Sequence, residues 1–176
     1  MTKAESPAQR RPRHMHCLII TLSDRAFSGV YADRSGPRIR ELLESFFAGH
    51  GIESTVEQCL LPDDAKLLRR EILGGREQGV DVIITTGGTG VGPRDVAPDT
   101  VGPLCDKLIP GIMEHIRAKF GANNPRARLS RAIAGVAGTT QIYTLPGSVR
   151  AVEEYLPEIL VTLEHIADTL NGADTH

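Results

Sequence analysis

Short apolar runs alternate along this chain with longer segments in which apolar positions recur every three or four residues. His16 to Thr21 (HCLIIT) is a short run rich in β-branched residues, which suits a buried strand. After Gly36-Pro37 the spacing of Ile39, Leu42, Leu43, Phe46 and Phe47 predicts a helix, closed by Gly49 and Gly51. Ile52 to Leu61 reads as a second strand, and Pro62-Asp63-Asp64 interrupts it and offers a cap to a helix carrying Leu67, Leu68, Ile72 and Leu73. Val80 to Thr86 (VDVIITT) is the clearest strand. A helix follows Pro110 with Ile112, Met113, Ile116 and Phe120 on one face, and Thr139 to Leu145 is the last clear strand. The closing stripe holds Val152, Tyr155, Leu156, Ile159, Leu163 and Leu170, and Pro157 within it should break or kink that helix.

Such alternation predicts an α/β fold in three layers, a mostly parallel sheet with helices on both faces. We expect one domain over residues 15–172, preceded by a disordered tail of residues 1–14. That tail, MTKAESPAQRRPRH, is polar and basic and lacks the apolar stretch of a signal peptide. The whole chain has 176 residues, the size of one domain. With no Trp, three Tyr and four Phe, aliphatic residues must supply most of the core. A formal net charge of -2 gives no broad field for nucleic acid or an acidic membrane, so any anion site must be local. No window approaches the ~20 apolar residues of a membrane span. Cys17, Cys59 and Cys105 form no CxxC pair and read as reduced thiols of a cytoplasmic protein.

In parallel sheets of this kind ligands bind beyond the carboxyl ends of the strands, and the unusual residues fall there. Thr85 to Asp95 reads TTGGTGVGPRD. Its glycines permit positive φ and let backbone N–H groups approach an anion closely. Thr86 and Thr89 add hydroxyls, Arg94 adds a fixed positive charge, and Asp95 can hold Mg²⁺. Phosphate and metal together suggest a nucleotide. The segment lacks the Gly-Lys-Ser/Thr of a P-loop and the spacing of GxGxxG, which disfavours a Walker-type ATPase or a dehydrogenase. A tight structural turn is the plain alternative.

Three further loops fall at the same edge. The first, Leu22 to Gly36, is dense in Ser, Asp, Arg and Gly. Asp63 reads either as a helix cap or as a ligand beside Asp95, and the two roles are compatible. Pro146, Gly147 and Ser148 precede the last helix, whose first N–H groups suit phosphate. The six His are scattered without ligand spacing, and no GxSxG supports a hydrolase. Arg126, Arg128 and Arg131 read by default as a solvated face, with an anion contact as the alternative.

Together these loops resemble the molybdopterin adenylyltransferase family of molybdenum cofactor biosynthesis proteins, which includes domains of gephyrin and of the plant cofactor enzyme. The resemblance rests on Ser23-Asp24-Arg25 with Gly29-Val30-Tyr31 and Asp33, then Leu61-Pro62-Asp63 and TTGGTGVGPRD. Pro110-Gly111-Ile112, Leu129-Ser130-Arg131 and Leu145-Pro146-Gly147-Ser148 complete it. It implies a homotrimer that transfers AMP from Mg-ATP to the terminal phosphate of molybdopterin, and a molybdenum-insertion enzyme as a downstream partner. It also marks Asp63 and Asp95 as the acidic residues that matter most, here given to catalysis and to Mg²⁺. Ser23, Asp24, Thr86, Gly87, Gly88, Thr89, Gly90, Arg94, Pro146, Gly147 and Ser148 are the expected binding residues for ATP and molybdopterin. The chain departs from the family at Ala97, Asp99, Thr144 and Val149, where Thr, Glu, Asn and Pro are common. The competing reading is a non-catalytic molybdopterin-binding or scaffold module of a sister branch. Two carboxylates beside an anion site serve a Mg-ATP enzyme and not a plain binder of a phosphorylated pterin.

Overall fold

The apolar runs pair into one six-stranded sheet in a computed structural model that describes residues 14–172. In chain order the strands are β1 (His14–Leu22), β2 (Glu53–Leu61), β3 (Val82–Thr86), β4 (Lys107–Leu108), β5 (Ala134–Ala137) and β6 (Thr140–Leu145). The helices are α1 (Asp24–Phe27), α2 (Ser35–Gly49), α3 (Ala65–Glu77), α4 (Ala97–Val101), α5 (Pro110–Gly121) and α6 (Val149–Leu170). Sheet order is β2-β1-β3-β6-β5-β4. The first four strands in that order pair in parallel, and β5 and β4 add an antiparallel edge. The two edge strands were not foreseen: Lys107–Leu108 is too short to show a period, and Ala134–Ala137 is built of small residues.

Successive strand side chains point to opposite faces, and two separate cores follow from that alternation. Cys17, Ile19, Val82, Ile84 and Tyr143 face α2, α5 and α6. Ile20, Leu22, Ile83 and Ile142 face α3 and α4. The sheet is therefore the middle of three layers, as expected.

The last helix departs from expectation. Pro157 does not end it, and α6 runs unbroken from Val149 to Leu170. An interior proline costs ~3 kcal/mol. Val152, Tyr155 and Leu156 are buried before it, and Ile159, Leu160 and Leu163 after it. At ~1.5–3 kcal/mol for each large apolar side chain, burial of the stripe outweighs the proline. Pro157 itself lies on the exposed side.

Register sets the functional edge. Leu22 pairs with Leu61, Thr21 with Thr86, and Thr86 with Leu145. Four parallel strands therefore stop at one level and release their loops on one side. The expected tail lies outside the described residues, except for His14, which already pairs with Glu53 in β1.

Candidate functional site

Beyond β1, Ser23 caps α1, its Oγ accepting the Ala26 amide at 3.2 Å. The same hydroxyl shares a 2.9 Å hydrogen bond with the Tyr31 hydroxyl. The Arg25 guanidinium lies over the Tyr31 ring, 4.9 Å from its centroid. The Ser23 hydrogen bond, helped by Arg25, lowers the Tyr31 hydroxyl below the usual tyrosine value.

Beyond β2, Asp63 and Asp64 divide two tasks. Asp64 caps α3, accepting the amides of Lys66 and Leu67 at 2.8 and 2.9 Å. The cap open to Asp63 in the sequence is thus taken by its neighbour. Asp63 Oδ2 instead accepts the Asp24 amide at 3.0 Å, and the Asp63 amide donates to Asp24 Oδ1 at 3.0 Å. This reciprocal clasp ties the ends of β1 and β2 and sets the two carboxylates side by side. Arg94 closes the group. Its Nη2 donates to Asp24 Oδ1 and Oδ2 at 2.8 and 2.7 Å, and its Nε to Oδ2 at 3.0 Å. The guanidinium holds the Asp24 carboxyl below the ordinary aspartate range. Arg94 is itself raised, through Asp24 first.

The glycine loop follows β3 and is pinned from both sides. Gly87 adopts φ +101°, and its amide donates to the Leu145 carbonyl at 2.9 Å. A Cβ on Gly87 would sit 2.2 Å from the Leu22 carbonyl oxygen, so no other residue fits there without a shift. Onward, the loop turns its carbonyls to protein donors. Gly88 O accepts the Ala97 amide at 3.0 Å, Thr89 O the Arg131 amide at 2.8 Å, and Gly92 O the Asp95 amide at 3.0 Å. Arg131 also donates through Nε to Gly90 O at 2.7 Å and through Nη2 to Asp95 O at 2.8 Å. Its Nη1 pairs with both oxygens of Asp99 at 2.9 Å. The amides of Gly88, Thr89, Gly90 and Val91, by contrast, donate to no acceptor among the described residues. Consecutive unpaired amides of this sort form a nest for an anion.

Beyond β6, Ser148 caps α6 by accepting the Ala151 amide at 3.1 Å. Gly147 packs on Gly87: a Cβ at Gly147 would lie 3.1 Å from the Gly87 Cα.

These loops surround one open cleft of about 800 Å³, within the range of small-molecule sites. Ser23, Asp24, Asp63, Gly87, Gly88, Thr89, Gly90, Arg94, Asp95, Pro146, Gly147 and Ser148 all line it. Thr86 does not. It is fully buried, and its hydroxyl donates to the Pro146 carbonyl at 3.1 Å, which joins the β3 and β6 loops from behind. The expected ligand role of Thr86 is replaced by this brace. Tyr31 and Ser130 line the cleft without having been singled out as site residues. Arg131, read as a solvated face, is bound into the glycine loop. Its partners lie 32 to 42 positions earlier in the chain, so no local pattern could have shown it.

Asp63 and Asp95 keep spare capacity. Asp95 Oδ2 accepts the Gly92 amide at 2.8 Å. Neither Asp63 Oδ1 nor Asp95 Oδ1 has a hydrogen-bond partner among the described residues. No group of three or more His, Cys, Asp or Glu suited to a metal forms among those residues. Any cation here would need oxygens from its ligand as well, which suits Mg²⁺ held by one or two carboxylates and substrate phosphates. No helix is long and apolar enough to cross a membrane among the described residues.

Comparison with known proteins agrees with the geometry. Residues 18–165 match the family model described as "Probable molybdopterin binding domain". The chain is 35% identical to molybdenum cofactor biosynthesis protein B of Bacillus cereus, over 93% of this chain and 95% of that protein. It is 31% identical to a molybdopterin adenylyltransferase of Helicobacter pylori, over 90% and 89% of the two chains. A crystal structure of a molybdenum cofactor biosynthesis protein B superposes with a TM-score of 0.81 at 34% identity, covering 93% of this chain and 99% of that one. Against two larger relatives the chain spans less: 49% of a bifunctional molybdenum cofactor biosynthesis protein of Chlorobaculum tepidum and 22% of Dictyostelium discoideum gephyrin. Fold, cleft and sequence together place the chain in the molybdopterin-binding family of molybdenum cofactor biosynthesis proteins.

Proposed function

We propose that this chain is a molybdopterin adenylyltransferase, transferring AMP from ATP to the terminal phosphate of molybdopterin with release of pyrophosphate. One observation carries the reading: the acceptor-free amides of Gly88, Thr89 and Gly90 belong to residues that line one cleft with Arg94 and with Asp63 and Asp95, whose Oδ1 atoms are free. Amides and a guanidinium suit phosphate oxygens. Carboxylates in the same cleft would repel a bare phosphate and suit one that arrives with a cation.

Asp63 and Asp95 are the residues that would hold Mg²⁺. When bound, that ion supplies charge neutralisation at the nucleotide phosphates. The rest falls to the chain itself. The loop amides and Arg94 bind the polyphosphate and meet the charge that builds on it. The cleft sets the pterin phosphate in line with the α-phosphorus of ATP. A bond forms from the pterin phosphate oxygen to that phosphorus, and the bond from phosphorus to the bridging oxygen of pyrophosphate breaks. The electron pair leaves with pyrophosphate. Such chemistry needs positioning and electrostatic support rather than a protein nucleophile. Ser148 and the first amides of α6 orient the pterin side.

Incubation with molybdopterin, ATP and Mg²⁺ should yield adenylylated molybdopterin and pyrophosphate in equal amounts. Tight molybdopterin binding without product would move the chain to the non-catalytic binding module. The same reading makes the protein a cytoplasmic homotrimer, and light scattering that returned a monomer mass at micromolar concentration would count against that part.

A further inference from the structure

We infer that Arg131 is the positioning residue of the anion site: from outside the cleft it holds the Thr89 and Gly90 carbonyls of the glycine loop turned away, so that the amides of Gly90 and Val91 are left for a polyphosphate. This deepens the phosphate reading of the cleft and rests on it for the ligand's chemistry.

Arg131 does not line the cleft, although Ser130 beside it does. Its amide and guanidinium take three loop carbonyls, those of Thr89, Gly90 and Asp95, at 2.7–2.8 Å. A peptide unit carries N–H and C=O on opposite sides, so fixing a carbonyl outward commits the next amide to the opposite direction. Binding Thr89 O and Gly90 O therefore sets the amides of Gly90 and Val91, two of the four that lack a protein acceptor. The Asp95 carbonyl is held by the same guanidinium, which also fixes the backbone of a residue whose side chain lines the cleft. Asp99 pairs bidentately with Nη1 and fixes the plane of the guanidinium.

The fork geometry matters as much as the charge. Only a planar guanidinium can reach two carbonyls and a carboxylate at once, and a lysine ammonium is a point charge on a flexible stem.

The test compares Arg131→Met, Arg131→Lys and Asp99→Asn with the parent protein. Hydrogen exchange in the ligand-free protein reads the loop, and calorimetric titration with pyrophosphate reads the anion site. Arg131→Met should speed exchange in residues 87–95 without speeding it in β1 or α6, and should weaken pyrophosphate binding by about 10- to 100-fold. Arg131→Lys should recover part of that loss, and Asp99→Asn should show a smaller loss of the same kind. An Arg131→Lys protein equal to the parent would mean that charge alone suffices, and would overturn the assignment. So would a folded Arg131→Met protein with parental loop exchange. Should Arg131→Met fail to fold, Asp99→Asn decides: unchanged loop exchange and pyrophosphate affinity there would make Arg131 a plain stability residue. The exchange measurement holds whatever the cleft binds. If pyrophosphate fails to bind the parent protein, the phosphate reading falls and the exchange result still decides the role of Arg131.

Discussion

Replacing Gly87 with Ala would put a methyl group where three strand ends meet. The residue sits at φ +101°, and the new Cβ would lie 2.2 Å from the Leu22 carbonyl oxygen. Both atoms belong to backbone tied into neighbouring strands, since Thr21 pairs with Thr86 one step away. Side-chain rotation therefore cannot relieve the contact. A left-handed conformation costs an L-residue ~1–2 kcal/mol, and forced overpacking adds typically ~1–3 kcal/mol. The sum is about 2–5 kcal/mol, a large part of the ~5–15 kcal/mol that stabilises an ordinary domain. Gly79→Ala separates the two terms. Gly79 also has a positive φ, +75°, but a Cβ there would meet nothing within 4 Å. Urea denaturation should show a loss of about 1–2 kcal/mol for Gly79→Ala and clearly more for Gly87→Ala. Only the Gly87 variant should also lose pyrophosphate affinity, because relief of the contact must displace the loop. Equal losses in the two variants would refute the argument that the Leu22 carbonyl dictates glycine at this position.

Other expectations follow from the same geometry. Asp95→Asn should lower adenylyl transfer by orders of magnitude with the fold intact, and near-normal product formation would remove the cation role given to Asp95. Asp64→Ala should cost about 1 kcal/mol of stability through the lost cap and leave transfer largely intact, whereas Asp63→Asn should impair transfer and spare the cap; kinetics and melts on the two variants check this reversal. Burial pushes the thiols of Cys17 and Cys59 up to about 12 and about 11 and raises that of Cys105 as well, so all three should resist alkylation at pH 8 until the protein is unfolded. Pro157→Ala should raise stability by about 2 kcal/mol, the interior penalty of proline less the entropy it removes from the unfolded chain, as read by denaturant midpoint.

Much of the architecture was legible because it depends on local periodicity. The runs 16–21, 52–61, 80–86 and 139–145 all became strands, and the helical stripes after Gly36, Asp64 and Pro110 became helices. What stayed hidden depends on partners distant in sequence. β5 is a strand because it pairs with β6, and β4 because it extends the edge beside β5, not because of their own four and two residues. Pro157 sits inside a helix because its neighbours are buried, which no local rule about proline contains. Asp63 and Asp64 were indistinguishable as caps until the backbone showed which carboxylate faces the amides of α3 and which faces α1.

The cleft shows the same division between composition and arrangement. The motif from Thr85 to Asp95 contains the ingredients of an anion site, yet glycines and an arginine alone do not decide which way peptide groups point. Direction comes from residues outside the motif. Leu22 and Leu145 grip the start of the loop, Ala97 and Arg131 take its carbonyls, and Asp24 holds Arg94. Leu22 and Asp24 sit at the end of β1, Leu145 at the end of β6, Ala97 at the start of α4 and Arg131 in the segment before β5, and the parallel register brings the ends of β1, β3 and β6 to one level. The proposed phosphate site, built this way, is a property of the sheet's topology. The glycines permit it, and the segments packed around the loop impose it. Transplanting the eleven-residue segment alone onto another loop should therefore yield no comparable pyrophosphate binding, because the donors that orient its amides would be left behind.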